Sequence, residues 1–229
     1  MKWLAGLLVL TWTLTAQADD LAKAKAAFAE KDKALNTVFT TLKKELRPDL
    51  FVKMQEDQRG WVEYRDYITT GPGTGDATDA TPDRWTGAAE LTEARIAWLK
   101  AWKKLDQRKG WSGRYSDGRG GLLEIVEKDG HAWFTLSVVR GPSSHTGEIA
   151  GQVKVNGSTG WFETKGEGEK DPTWLTFLDG LDYNGSIRVT EENTGSFHGA
   201  RAYFSGNYLW LGELTAAEQK QVIEGKDGE

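Results

Sequence analysis

Ser143, His145 and Glu148 are the residue types of a hydrolase catalytic triad, in which a histidine takes the serine proton and a carboxylate orients the histidine. Residues only two and three positions apart on one loop or strand rarely reach that geometry. The G-x-S-x-G turn of the α/β-hydrolases is also absent from this segment. We therefore expect no catalytic residues here and no enzyme activity.

Metal binding is the second chemistry to consider, because the chain contains three histidines, His131, His145 and His198. A zinc site would require them to converge with further ligands. The sequence has no cysteine and no H-x-H or H-E-x-x-H spacing. His145 and His198 fall in predicted loops before strands and could approach each other, whereas His131 follows a hairpin turn. We predict no metal site and no cofactor.

The segment RGPSSHTGE, residues 140–148, fits a binding loop best. Pro142 stiffens this segment, and the side chains that follow offer compact hydrogen-bond donors and acceptors. Loops held on a rigid scaffold commonly carry function. The alternative is an ordinary long hairpin connection. The predicted binding residues are Ser143, Ser144, His145, Thr146 and Glu148.

A second polar group lies in QEDQRGWVEYRDY, residues 55–67, where aromatic residues recur at nearly helical spacing. Met54, Trp61 and Ile68 are seven residues apart, which predicts that Trp61 is the centre of a buried helix face. We interpret the group as structural. The alternative is an exposed recognition surface, because Trp, Tyr and Arg dominate interface energies. The residues concerned are Gln58, Trp61, Tyr64, Arg65 and Asp66.

Three amphipathic helices are predicted to hold this second group. Leu21, Phe28, Leu35 and Leu42 repeat every seven residues and predict the first helix. Pro48 suits the first turn of the second helix. Residues 71–83 are rich in glycine, threonine and aspartate and predict a loop, and the third helix is expected at about residues 88–109. A short first connection favours an antiparallel hairpin closed by the third helix.

After residue 110 the hydrophobic period changes from helical to two, and glycine becomes frequent. Asp129-Gly130, Asn156-Gly157 and Asn184-Gly185 predict tight hairpin turns. Strands are expected near 112–117, 121–128, 131–140, 146–155, 158–164, 173–179, 183–190 and 201–211. Successive hairpins favour an antiparallel barrel of about eight strands, because closure removes exposed edges, with a sandwich as the alternative. The fold class is therefore α+β.

Residues 1–18 have the anatomy of a secretory signal peptide: a lysine, a short apolar run and an A-x-A site. We expect cleavage after Ala18, a periplasmic or secreted protein, no lipid anchor because no cysteine follows, and no later membrane span.

The chain has 29 basic and 34 acidic residues, and loss of Lys2 leaves 28 and 34, a net charge of −6. This acidity argues against nucleic acid as a partner.

These patterns divide the chain into four predicted segments. Residues 1–18 are the signal peptide, 19–109 a helical domain and 110–214 the barrel. Thr215 and Glu218 form a capping box, which predicts a short terminal helix and tail over 215–229.

The helical segment resembles the N-terminal domain of the LprI-type lysozyme-inhibitor family. That family's pattern pairs an L-N-x-x-[YF] helix with a helix reading L-x-x-x-Q-x-x-W-x-x-[YF]-R-D, and the resemblance covers roughly residues 20–105. The family usually carries cysteines that flank these helices, and this chain has none. The matching residues are Leu35, Asn36, Phe39, Gln58, Trp61, Tyr64, Arg65 and Asp66.

The resemblance implies a non-enzymatic module that docks on a lysozyme-like glycoside hydrolase or another envelope protein and blocks its cleft. The acidic balance would steer the encounter with a basic partner. Two other functions stay open at this stage. The barrel could carry a small molecule in its lumen, which would require a cavity of about 300 Å3 or more. The protein could also be a structural component of the envelope.

Overall fold

The chain folds into three N-terminal helices, a β-barrel and a C-terminal helix. The computed structural model describes residues 5–70, 81–141, 144–166 and 170–225. Within these ranges, none of the helices combines the length and the hydropathy that a membrane span requires. The helices are α1 (Ala5–Glu45), α2 (Pro48–Thr70), α3 (Pro82–Ala101), which continues as a 3-10 turn (Trp102–Lys104), and α4 (Ala216–Glu224).

The first three helices run up, down and up. The rings of Phe28 in α1 and Trp85 in α3 lie 5.0 Å apart, and α1 and α3, which are parallel, make the most extensive helix–helix contact. Alanines 24, 88 and 89 are buried between them and allow the two backbones to approach. Helix α2 is antiparallel to both, as the predicted hairpin requires.

The third helix differs from its predicted bounds at both ends. It begins at Pro82, inside the predicted 71–83 loop, because the fixed φ of proline suits the first helical turn and its missing N–H costs nothing there. Residues 71–80 of that loop lie outside the described residues. The helix ends earlier than residue 109 because the backbone tightens after Ala101 and Leu105 packs against the backbone of Gly185.

The eight strands form one closed antiparallel barrel, as the sequence predicted, and the sandwich alternative is excluded. Each strand pairs with the next in the chain, and β8 pairs with β1. The strands are β1 (Gly113–Ser116), β2 (Gly121–Lys128), β3 (His131–Arg140), β4 (His145–Asn156), β5 (Thr159–Thr164), β6 (Thr173–Asp179), β7 (Ser186–Glu192) and β8 (Gly206–Gly212).

The predicted hairpin turns differ in their outcome. Asp129 and Gly130 have φ values of 52° and 79°, the two positive values of a type I′ turn. The β4–β5 turn is one residue later than predicted: Asn156 pairs with Thr159, so the central residues are Gly157 and Ser158, of which only Gly157 has positive φ. Gly157 adopts the left-handed conformation at no steric cost, and Asn156 stays in the strand.

Side chains fill the barrel lumen, so the hypothesis of a carrier with an open lumen has no support. The ring of Phe134 lies 5.1 Å from the rings of both Phe162 and Phe177. Trp210 belongs to this core, whereas Trp133 packs outside the barrel near α4. The fully buried core residues include Tyr115, Leu123, Ile125, Phe134, Leu136, Leu175, Phe177, Ile187, Phe204 and Tyr208.

The helices pack on the outer wall of the barrel along β8. Leu209 points out of the barrel and is fully buried in the helical core, in one cluster with Trp102 and Leu105. Lys53 at the start of α2 donates a hydrogen bond to the carbonyl of Asp182 in the β6–β7 loop, at 2.9 Å. The proposed division at residue 110 follows the change of secondary structure, but Leu209 of the barrel belongs to the buried cluster that the helices form.

Candidate functional site

The aromatic segment of α2 forms the centre of the helical core. Trp61 is fully buried and belongs to one cluster with Leu42, Met54 and Trp98. Arg65 lies beside it, with its guanidinium carbon 5.2 Å from the Trp61 ring centroid and an ion pair of 2.6 Å to Asp32 of α1. The position of Trp61 on the seven-residue line with Met54 therefore corresponds to a buried helix face.

Gln58 is buried because it accepts a hydrogen bond from Arg95, a buried cation that the sequence analysis did not predict. Arg95 of α3 is fully buried, donates from Nε to the Gln58 side chain at 2.8 Å and from Nη2 to Asp57 at 2.7 Å. Its guanidinium stacks on Trp98 at 3.7 Å from the ring centroid. Burial lowers the pKa of Arg95 to about 10, an effect that Asp57 opposes. The sequence signal was an arginine on the line next to the apolar stripe of α3.

A buried ion pair closes the end of the barrel next to α2. Arg140, the last residue of β3, pairs at 2.7 Å with Asp117 of the β1–β2 loop, and both side chains are almost fully buried. Asp117 also accepts hydrogen bonds from the backbone N–H groups of Arg119 and Gly121, each at 2.8 Å. Burial alone would lower the pKa of Arg140, but Asp117 more than offsets it and the pKa is raised.

Tyr64 connects the helical segment to the predicted binding loop. The backbone N–H of Gly141 donates to the Tyr64 hydroxyl at 3.3 Å. Burial raises the pKa of this hydroxyl, so Tyr64 stays protonated at neutral pH. Tyr67 lies one turn further along α2 and is exposed, and Asp66 is exposed beside Arg65. The structure therefore brings together two regions that are distant in the sequence.

The predicted loop is shorter than its sequence suggested. The β3–β4 ladder continues to the pairs Arg140–His145 and Val139–Thr146, so the connection is residues 141–144 and not 140–148. Pro142 and Ser143 lie outside the described residues. Ser144 is exposed and has a positive φ of 49°.

Thr146 and Glu148 are therefore strand residues, because continued backbone pairing outweighs the polar, loop-like composition. Both are exposed on the outer face of β4. They line a shallow depression of about 440 Å3 together with Ser137, Val139 and Phe197.

The strap, which we define as residues 193–205 between β7 and β8, fixes the start of β4. His198 forms a β-bridge with Gly147, and the N–H of Glu148 donates to the carbonyl of Phe197 at 3.0 Å. Glu191 anchors the strap by accepting hydrogen bonds from the Thr194 hydroxyl and from the N–H groups of Phe204 and Ser205. Within the strap, His198 makes this bridge, whereas Arg201 is exposed.

The histidines do not form a metal centre within the described residues. His145 lies near the strap that carries His198, whereas His131 contacts Gln152 at 2.7 Å at the opposite end of the barrel. Among the residues that the structure describes, no group of three or more His, Cys, Asp or Glu side chains could hold a metal ion.

The helical segment matches a known protein family. Residues 13–99 match the family model described as Lysozyme inhibitor LprI. The helical half carries an LprI domain. The LprI domain includes α2 with Trp61 and Tyr64 and extends to Leu99, near the end of α3. The barrel lies outside the matched residues. No curated protein and no solved structure matches the chain.

Proposed function

We propose that the protein is a non-enzymatic inhibitor that docks on a lysozyme-type glycoside hydrolase. The single observation that supports this proposal is the LprI match over residues 13–99, because the matching family is described as a lysozyme inhibitor. Inhibition by docking requires only a stable surface that enters or covers the substrate cleft. The filled lumen argues against the competing small-molecule carrier.

The barrel residues Ser144, His145, Thr146 and Glu148, with Ser143, are the first candidates for the docking contacts. Ser144, Thr146 and Glu148 are exposed, and the strap holds the start of β4 through backbone hydrogen bonds. A rigid segment loses little conformational entropy on binding, so it can occupy a sugar-binding cleft efficiently.

We propose further that the protein acts outside the cytoplasm, in the periplasm or after secretion. The supporting observation is the leader-like sequence that ends at Ala16-Gln17-Ala18. On this proposal the mature protein begins at Asp19 and carries no lipid. Intact-mass measurement of protein recovered after native secretion tests it, and a retained leader or an added lipid mass would reject it.

The test of inhibition is cell-wall lysis by several lysozyme types with increasing mature protein. We expect slower lysis at stoichiometric or moderate excess, and weaker inhibition at high salt, because screening shortens the electrostatic range to about 8 Å at physiological ionic strength. No slowing at tens-fold molar excess with any lysozyme type would reject the inhibitor proposal and favour a structural role in the envelope.

Variants of the barrel residues locate the contacts. Inhibition that is lost in a Ser144→Ala, His145→Ala double variant with an unchanged melting temperature would support the barrel segment. Inhibition that persists unchanged in that variant would move the docking contacts to the LprI domain, where Tyr64 and Tyr67 lie.

A further inference from the structure

We infer that the partner docks on one composite surface to which the LprI domain and the barrel both contribute, and that neither half suffices alone. We call this surface the junction face and define it by Tyr67 of α2, Val139 of β3, Thr146 of β4 and Tyr203 of the strap. The inference rests on the proposed inhibitory function and deepens it by assigning the docking surface and the charge of its partner.

A short chain of contacts links the two halves at the junction face. The N–H of Gly141 donates to the Tyr64 hydroxyl of α2. The adjacent Arg140 donates from Nε to the carbonyl of Tyr203 at 3.2 Å, and its guanidinium carbon lies 4.5 Å from the Tyr203 ring centroid. Tyr64 and Tyr203 therefore flank the same two residues of the barrel, and Tyr67 lies one helical turn from Tyr64.

The apolar side chains around this backbone are unusually accessible. Tyr67 is 40%, Val139 48% and Tyr203 41% exposed. Single exposed apolar residues are normal on a protein surface, but Val139 and Tyr203 both lie at the end of β3. Tyr67 lies one helical turn from Tyr64, which contacts Gly141 at the same end. Tyrosine is enriched among the residues that dominate binding energy because it offers a large apolar ring and a polar tip.

One buried and one half-buried ion pair support the junction face. Beneath it, Arg140 pairs with Asp117 inside the barrel end, and Arg119 of the same loop contacts Asp57 of α2 at 3.2 Å. A surface fixed in this way needs little reorganisation on binding, so more of the contact energy is retained as affinity.

The charges at the margins of the junction face favour a basic partner. On α2, Glu63 precedes Tyr67 by four residues, which places it on the same side of the helix, and it is exposed. On the barrel, Glu148 is exposed two residues after Thr146. The exposed cations nearest in sequence are Arg59 on α2 and Arg201 in the strap. A partner with a cationic surface complements this arrangement, and that is the charge expected of a basic lysozyme-type hydrolase.

The experiment compares dissociation constants of full-length variants for a lysozyme type that the wild-type protein inhibits. We expect Tyr67→Ala, in the LprI domain, and Tyr203→Ala, in the barrel, each to weaken binding about tenfold or more. Because Tyr203 also covers Arg140, Val139→Ser tests the same surface while leaving that contact in place. Glu63→Lys should weaken binding, and Arg201→Glu should strengthen it at low salt.

Two exposed apolar residues away from the junction face serve as matched controls. Val52→Ala on α2 and Leu181→Ala in the β6–β7 loop replace side chains that are 53% and 57% exposed. Both should bind as the wild type does. Melting temperatures equal to wild type are required for each variant that is compared.

The outcomes separate this inference from the proposed function. Wild-type protein that binds no lysozyme type rejects the proposed function itself. Wild-type inhibition with unchanged binding by the Tyr67, Val139 and Tyr203 variants overturns the junction face alone. Loss of binding confined to variants of one half also overturns it, as does a finding that these variants abolish self-association and leave lysozyme binding unchanged.

Discussion

The carboxylate of Asp57 in α2 lies 3.2 Å from the guanidinium of Arg119 in the β1–β2 loop, and it simultaneously pairs with Arg95 of α3 at 2.7 Å. One side chain therefore neutralises a cation buried among the helices and a cation that belongs to the barrel. The packing of the helices and their attachment to the barrel therefore depend on the same carboxylate.

Replacement of Asp57 by Asn should destabilise the fold because Arg95 would be buried without a counter-charge. We expect the free energy of unfolding to fall by about 2 kcal/mol, below the usual range for a buried pair, because Asp57 is 26% exposed. Arg119→Gln, which removes a partly exposed cation, should cost about 1 kcal/mol or less. Urea unfolding measures both. Equal losses in the two variants would contradict the role of Asp57 as the counter-charge of Arg95.

Trp61→Ala should be a folding mutation, because it empties the centre of the helical core. Truncation of a buried tryptophan costs about 3–5 kcal/mol. The control is Tyr67→Ala, which lies on the same helix but is exposed and should change stability by about 0.5 kcal/mol or less. Thermal and urea unfolding followed by far-UV circular dichroism distinguish them. A Trp61→Ala protein with the wild-type midpoint would instead point to a role in recognition.

The capping box of α4 should make the protein acid-sensitive. Glu218 accepts hydrogen bonds from the N–H and hydroxyl of Thr215, at 2.7 and 2.8 Å, and these bonds, with help from Arg114, lower its pKa to about 2. The folded state therefore binds fewer protons than the unfolded state below the ordinary pKa of 4.5. The contribution of Glu218 is fully present above that pKa and is lost as the pH falls toward 2.

Comparison of wild type with Glu218→Gln across pH measures this contribution. The unfolding midpoint of the wild type should exceed that of the variant at pH 7, and the difference should shrink between about pH 4.5 and pH 2. The exposed Glu213, which precedes the same helix, provides a control as Glu213→Gln. A difference that stays constant down to pH 2 would contradict the assignment.

Glu191→Ala should release the strap and loosen the start of β4. The change removes the acceptor for the N–H groups of Phe204 and Ser205. Hydrogen exchange should therefore accelerate at those amides and at Glu148 and Gly199, whose N–H groups bridge the strap and β4. Amides of the β2–β3 ladder should not change. Exchange in Glu191→Ala that is as slow as in the wild type would argue against a local anchor. Exchange in Glu192→Ala that is as fast as in Glu191→Ala would argue against it too.

The repeating patterns of the sequence were sufficient to predict the α+β class, the three helices and the closed barrel. Turn chemistry predicted the tight Asp129-Gly130 hairpin because only certain residues adopt positive φ easily. The predicted ends of α3 were less accurate. The helix begins before residue 88 at Pro82, and it ends before residue 109, where Leu105 packs against Gly185.

Long-range contacts could not be predicted from local sequence patterns. Tyr64 and Gly141 meet although they are far apart in the chain, and no local pattern encodes that pairing. One signal was present: Tyr208, Leu209 and Trp210 are consecutive and all buried. A strand without alternation is typical of burial on both faces, which β8 experiences between the lumen and the helices.

The burial of Leu209 among the helices has a consequence for biosynthesis. Trp102 is made early and its neighbour Leu209 belongs to the last strand, so ribosomes that add about 5–20 residues per second need several seconds to supply the missing contact. During that interval the nascent helices display an incomplete apolar surface. The segment that is translated first is therefore among the last to reach its final packing, and a chain truncated before β8 is expected to be an aggregation-prone product.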